Sequence, residues 1–205
     1  MLEVPKRDRF AERRVAVRAE IVDAAWQIAH DTGLATMTLK DVAERIGMRA
    51  PSLYTHFDSK MAIVDAMFAG AWTDYLVVIT EVESGMPAAP RDVLAQVAQT
   101  FFDFAVADLE RYQLMNKAVI PGFHPTAQSY APSVEVMERI VAVLRGVGIS
   151  DDDGRDLFLA VVSAVIDQQL ANDPSGDRWR HLLPRVIDMY ADHMGLPGPP
   201  LQETP

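Results

Sequence analysis

The chain has 205 residues, of which 49% are hydrophobic and 23% charged, enough apolar material for a sizeable core and too much for a disordered polymer. It contains no cysteine, which excludes disulfides and thiolate metal sites and fits a reducing compartment. The net charge of −10 argues against nucleic acid only until it is divided, because residues 1–60 hold 10 Lys+Arg and 9 Asp+Glu, a balance of +1, and residues 61–205 hold 9 against 20, or −11.

Screening weakens exposed charge interactions beyond about 8 Å at physiological salt, so a local basic patch can hold phosphates beside an acidic remainder. The N-terminal run MLEVPKRDRF lacks the apolar stretch of a signal peptide. The longest mostly apolar run, Leu157 to Ile166, falls short of the roughly 20 residues a membrane helix needs. These features predict a cytoplasmic protein with no membrane partner. The first 18 residues carry Lys6, Arg7, Arg9, Arg13, Arg14 and Arg18 against Glu3, Asp8 and Glu12. They read equally as an arm that touches a phosphate backbone and as a solvated N-terminus.

From Arg18 to Asp31, the spacing of Ile21, Ala24, Ala25 and Ile28 predicts a first helix that Gly33 stops. The stretch Thr38 to Lys60, TLKDVAERIGMRAPSLYTHFDSK, then has the spacings of two short helices joined by a tight turn. Leu39, Val42, Ala43 and Ile46 make one face apolar, Thr38 with Asp41 supplies an N-cap, and Gly47 supplies the positive φ that ends the helix. Pro51 suits the first turn of a second helix, whose inward pair is Leu53 and Phe57. The outward set is Arg49, Ala50, Pro51, Ser52, Thr55 and the polar tips of Tyr54 and His56, a small hydrogen-bonding surface of the kind that enters a major groove.

The run Gly47 to Lys60, with Leu53-Tyr54, His56-Phe57 and Ser59-Lys60 in order, resembles the DNA-binding signature of the TetR family of transcriptional regulators. The likeness extends back to Arg18 through Ile21-Val22-Asp23-Ala24-Ala25 and Gly33 and covers the first quarter to third of the chain. Ala50-Pro51 departs from it, since the family more often has a basic or small residue followed by Gly there. The resemblance implies phosphate contacts from Thr38, Tyr54, His56 and Lys60 and a base-facing set of Arg49, Ala50, Pro51, Ser52 and Thr55. It also implies a repressor more readily than an activator, working as a two-fold dimer on a palindromic operator.

Ser59 can cap a long helix running to about Val82, in which Val64, Met67, Phe68, Ala71, Trp72, Tyr75, Leu76 and Ile79 recur at helical spacing. After the break at 84–90, Leu94, Val97, Ala98, Phe101, Ala105 and Leu109 mark a fifth helix, and Arg111 to Val119 a short sixth. Ile120 to Pro132, with Pro121, Pro125, Pro132 and Gly122, is expected to be a loop. Val134, Met137, Ile140, Val141 and Leu144 define the next helix, and Ser150 with Asp153 a capping box that opens another. That helix is apolar nearly all round, through Leu157, Phe158, Val161, Val162, Val165, Ile166 and Leu170, with Gln168 and Gln169 among its few polar handles. The last helix carries Trp179, Leu182, Leu183, Val186, Ile187 and Tyr190, with a kink expected at Pro184. No stretch has the period-two alternation of a strand.

The sequence carries no Gly-x-Ser-x-Gly elbow, no His-Glu-x-x-His and no Gly-x-x-x-x-Gly-Lys loop, and its five histidines lack metal-ligand spacing. No catalytic residue, cofactor or metal is therefore expected. The fold class expected is all-α, about nine helices, with a three-helix helix-turn-helix head and a C-terminal helical bundle. The expected domains are 1–60 for DNA, 61–195 for ligand and dimerisation, and a loose tail at 196–205. Residues 157–170 and 179–190 are the expected dimer interface, as the resemblance implies. Trp72, Phe101, Phe104, Tyr112, Met115 and Phe123 are the expected walls for a small, largely apolar effector, beside the loop bearing His124 and Tyr130. The alternatives are a helical interaction protein that uses the helix-turn-helix for packing and an all-α enzyme.

Overall fold

The computed structural model describes residues 9–198, and all regular structure among them is helical. Lys6, Arg7, Glu3 and Asp8 of the basic N-terminus and residues 199–205 of the tail lie outside the described residues. The chain forms two compact units, Met1–Ala71 with Gln113–Tyr130, and Trp72–Tyr112 with Ala131–Pro205.

In the N-terminal unit, α1 (Arg9–Thr32) begins well before Arg18, so the described part of the basic stretch is helix. Its buried residues, Ile21, Ala24, Ala25, Ile28 and Ala29, contain the expected stripe. The short helices α2 (Leu39–Arg45) and α3 (Ala50–Leu53) follow. Thr38 Oγ1 accepts the Asp41 N–H at 3.2 Å while Asp41 accepts the Thr38 N–H at 3.2 Å, a reciprocal capping box. At the other end Gly47, at φ +66°, lets its own N–H reach Glu44 O at 3.2 Å and that of Met48 reach Ala43 O at 2.9 Å. Leu53 and Phe57 are buried as expected, but α3 is a single turn, and Phe57 lies on the turns that follow it, its N–H held by Leu53 O at 2.9 Å.

Helix α4 (Lys60–Glu83) opens with Ser59 Oγ accepting the Ala62 N–H at 3.1 Å, and its residues belong to both units. It alone among the described helices is long and apolar enough to cross a membrane. Its stripe Ile63, Val64, Met67, Phe68, Ala71, Tyr75 and Ile79 is nevertheless buried in protein, and Asp65 is held by three hydrogen bonds, the pattern of a core helix. That same Asp65 ties residues 126 and 129, part of the segment 113–130, into the N-terminal unit. Its carboxylate accepts the Thr126 N–H at 2.8 Å, the Thr126 hydroxyl at 2.9 Å and the Ser129 hydroxyl at 2.5 Å. Phe68, one turn on, packs against Phe123 and Tyr130 at centroid distances of 6.0 and 6.3 Å.

Helix α5 (Pro90–Val106) ends before Leu109, which was expected in it and instead opens α6 (Leu109–Asn116), a helix that starts and stops earlier than the expected Arg111 to Val119. The expected loop to Pro132 is corrected: α7 (Ala127–Gly146) starts within it and contains Pro132. Thr126 makes this possible by accepting the Ser129 N–H at 3.2 Å, and Asp65 fixes Thr126, so the cap outweighs the hydrogen bond that Pro132 cannot donate. Its buried face is Ser133, Val136, Ile140 and Leu144, whereas Val134 and Met137, expected inside, are exposed.

Helix α8 (Asp152–Asn172) is capped by Asp151, not Ser150, through a 2.7 Å bond from the Gly154 N–H. Gly154 sits where a Cβ would come within 2.7 Å of Met194 Cε and 2.8 Å of Ile149 Cγ2, and its carbonyl accepts the Tyr190 hydroxyl at 2.8 Å. Gln169, 1% exposed, organises the turn after α8. Its amide donates to Gly176 O at 3.0 Å and to Asp173 O, and accepts the N–H groups of Trp179 at 2.9 Å and Arg180 at 3.2 Å. A 3-10 turn at Arg180–Leu182 leads into α9 (Leu183–His193). Pro184 therefore stands in the first turn of α9, where no N–H is needed, and the expected kink is absent. The C-terminal unit packs α5, α8 and α9 against one another, and Arg91 on α5 ties the chain end by bonding Asp192 at 2.5 Å and Leu196 O and Pro197 O at 2.8 Å.

Candidate functional site

The helix-turn-helix is braced from behind. Arg45 on α2 pairs with Asp31 on α1 at 2.6 Å and reaches Gln27 at 3.4 Å. Arg18 lays its guanidinium 3.9 Å above the Phe57 ring and donates to His56 O, so α1 holds the far side of the reading segment. On that base Leu53 and Phe57 turn inward, and Arg49, Pro51, Tyr54 and Thr55 are exposed, with Ala50, Ser52 and His56 half-buried. The residues expected to face bases thus form one short patch centred on α3. Arg49 stands at the N-cap position of α3 without a side-chain cap bond, whereas the Thr55 hydroxyl is turned back onto Ser52 O at 2.7 Å.

The residues expected to hold phosphates differ in how committed they already are. Tyr54 is 55% exposed. The Thr38 hydroxyl is engaged with Asp41 at 2.7 Å, and Lys60 Nζ donates to Ala35 O at 3.1 Å, which anchors the α1–α2 loop to the start of α4. The Nδ1 of His56 is buried with no hydrogen-bond partner. Arg18 was placed by the sequence reasoning in a basic run and at the start of the family likeness but given no bracing role, and Asp65 was not singled out, though an acid within an apolar helical stripe was the available signal.

In the C-terminal unit, four of the expected ligand residues gather around a fifth aromatic, Tyr75. Its ring lies 4.9 Å from that of Phe104, 5.2 Å from Phe101 and 6.5 Å from Trp72, and Phe101 lies 6.3 Å from Tyr112. Tyr112 donates its hydroxyl to Asp167 on α8 at 2.8 Å. Burial, and then Asp167, which accepts that bond and is negatively charged, raise the Tyr112 phenol above its ordinary value, while burial alone raises Tyr75. Met115 and Phe123 belong instead to the N-terminal unit. A separate groove of about 410 Å³ between α5 and the start of α9, lined by Asp92, Ala95, Gln96, Leu183, Pro184 and Ile187 among others, contains none of the expected ligand residues.

The family model for bacterial regulatory proteins, tetR family, matches residues 21–67, the span from the core of α1 through α2 and α3 into α4. The class C tetracycline repressor protein of Escherichia coli is 25% identical over 165 residues, 78% of this chain and 70% of that protein. Among solved structures, a TetR family transcription regulator from Marinobacter aquaeolei VT8 superposes with a TM-score of 0.65 at 13% identity, covering 89% of this chain and 97% of that one. The regulator FadR from Bacillus subtilis, in complex with stearoyl-CoA, does so with a TM-score of 0.61 at 15% identity, covering 84% and 96%.

Proposed function

Because the chain belongs to the TetR family and is a DNA-binding transcriptional regulator, we propose that it is a repressor that leaves a palindromic operator when a small, largely apolar molecule binds its C-terminal part. The observation that carries this reading is the α3 patch: Arg49, Pro51, Tyr54 and Thr55 exposed on a base sealed by Leu53 and Phe57 and braced by Arg18. Residues 1–60 bind DNA, with Thr38, Tyr54, His56 and Lys60 on phosphates and Arg49, Ala50, Pro51, Ser52 and Thr55 toward bases. Lys60 exchanges Ala35 O for a phosphate oxygen on binding. The protein works in the cytoplasm and, like the family's regulators, is not an enzyme.

Two copies bind through residues 157–170 and 179–190. Leu157 on α8 and Met189 on α9 support this, being 38% and 64% exposed on helices whose other faces are core. The effector is taken within residues 61–195, with Trp72, Phe101, Phe104 and Tyr112 as contacts. A repressor named for tetracycline and a regulator bound to an acyl-CoA support an effector of substantial apolar area. Release follows from differential affinity: a ligand preferring a conformation of low DNA affinity weakens operator binding by that preference and no more, with α4, which contributes to both units, as the covalent path.

The test begins with capture of genomic fragments by the purified protein, followed by binding titrations against salt. Lys60→Ala should weaken all sequences alike and flatten the salt dependence, whereas Arg49→Ala should alter which sequences are kept. Equal changes in preference for both would refute the assignment, and failure to retain any fragment would refute the regulator reading. Leu157→Asp with Met189→Asp should give a monomeric mass by light scattering and lose the palindromic site.

A further inference from the structure

Tyr75 is 1% exposed, and its hydroxyl has no hydrogen-bond partner. Other buried tyrosines of the C-terminal unit answer theirs: Tyr112 donates to Asp167 at 2.8 Å and Tyr190 to Gly154 O at 2.8 Å. A buried hydroxyl without a partner loses its bonds to water and gains none in return, so phenylalanine at this position would serve the core better. The ring that carries this orphaned oxygen lies among Phe104 at 4.9 Å, Phe101 at 5.2 Å and Trp72 at 6.5 Å between ring centroids. Those three rings are only half-buried, so the cluster reaches the surface while its polar atom is sealed inside.

We infer that Tyr75 is the polar anchor of the effector site, and that the effector is a neutral, planar aromatic molecule bearing one oxygen, hydroxyl or carbonyl, that pairs with the Tyr75 hydroxyl. This rests on the ligand-responsive reading above and specifies its chemistry. Neutrality follows from the walls, since a charge buried among rings would need a counter-charge. Two ionised groups that touch the cluster are already engaged: Asp167 by Tyr112, and Arg111, whose guanidinium lies 5.2 Å from the Phe104 ring, by Asp108 at 3.3 Å. Planarity follows from the aromatic lining, against which a flat ring stacks as Phe101 or Phe104 rotates outward. The single oxygen follows from the single unmatched hydroxyl. Tyr75 then discriminates between an oxygenated ring and its parent hydrocarbon, because the hydrocarbon leaves the phenol as unpaired as it was before.

The probes are 2-naphthol and naphthalene, titrated by calorimetry into the full-length wild type and into Tyr75→Phe, with the melting temperature of each ligand-free protein measured alongside. Wild type should bind 2-naphthol about tenfold tighter than naphthalene. Tyr75→Phe should bind both with the affinity wild type has for naphthalene, and its ligand-free form should melt higher than wild type. A 2-naphthol advantage that persists in Tyr75→Phe, an absent advantage in wild type, or a lower melting temperature for the ligand-free variant each overturns the assignment. Binding of neither probe overturns it as well. The broader reading fails separately: if no apolar compound in a screen weakens operator binding, the switch is wrong, whereas release by a compound that ignores the Tyr75→Phe change leaves the switch and removes only Tyr75.

Discussion

The two units place their working polar groups on opposite sides of the same kind of frame. In the N-terminal unit the interior is apolar and locally capped, and the groups that would meet DNA stand outside it, around a single turn of α3. In the C-terminal unit the informative groups are inside: Gln169 with its amide fully used, and Tyr75 with its hydroxyl unused. Changes to an outward group should therefore alter binding with little loss of stability, while changes to an inward one couple the two.

The largest effect belongs to the C-terminal interior. Phe102 is completely buried, with the Arg180 guanidinium 4.9 Å from its ring, and Phe102→Ala should cost about 3–5 kcal/mol by denaturant unfolding. DNA binding measured well below the melting temperature should survive better than stability does. If affinity falls before the protein unfolds, the interior of this unit is coupled to the reading surface and the division is too sharp.

Next comes Asp65, which belongs to the N-terminal unit but is engaged with residues 126 and 129, far along the chain. Burial pushes its carboxyl up, but the bonds from Ser129 and Thr126 outweigh it and hold it below the usual range. A depressed folded value means the stabilisation is present above the unfolded value of about 4 and is lost as pH falls through the lower folded one. Asp65→Ala should cost about 1–3 kcal/mol at neutral pH, since it strips the Thr126 and Ser129 donors of their acceptor. Its stability should also fall less than that of wild type on acidification below pH 4. Parallel acid limbs for the two proteins would remove Asp65 from that role.

Asp65 also marks where the sequence stopped being legible. The helix-turn-helix could be read because its signals are local: a capping box within four residues, a glycine at the stop, an i, i+4 apolar pair. The class of fold and most helices were legible for the same reason. What failed depended on distant partners. Prolines at 121, 125 and 132 argue for a loop, and only the Asp65 carboxylate, some sixty residues earlier, makes a helix start at Ala127. Ile140 and Leu144 of the α7 stripe are buried as read, but its first turns were misread because Val134 and Met137 match helical spacing as well as Ser133 and Val136 do, and spacing there does not say which side is covered. Pro184 misled for the opposite reason, since the Gln169 amide ends the preceding segment and lets α9 begin one residue before it. Among the ligand residues, aromatic density could be read, but Tyr75 looked like another member of a stripe because a missing partner leaves no trace in sequence.

Thr38 tests the local frame itself. Thr38→Ala removes the acceptor for the Asp41 N–H and should cost about 1 kcal/mol in thermal or denaturant unfolding. Because the same hydroxyl is assigned to a phosphate, operator affinity should fall by more than the loss of folded protein accounts for. Asp41→Asn, which leaves the Thr38 hydroxyl in place, should separate the two contributions. Should both variants lose affinity only in proportion to stability, Thr38 is a cap and not a contact.

The smallest effect on stability, and the most direct test of the division, is at Arg49. The side chain is exposed, and no side-chain cap bond is made at this position, so Arg49→Ala should change unfolding free energy by no more than about 0.5 kcal/mol. Its consequence should appear on DNA instead. An arginine that forks onto a guanine edge contributes about 1–3 kcal/mol of discrimination, so the variant should bind the preferred fragment roughly tenfold or more weakly while holding unrelated DNA nearly as well. Arg49→Lys sharpens the reading further, because lysine keeps the charge and loses the planar fork. If lysine restores affinity for all sequences but not the preference among them, Arg49 reads bases. If it restores both, the charge alone was acting, Arg49 belongs with the phosphate contacts, and selectivity must come from the small residues beside it, Ala50, Pro51 and Ser52.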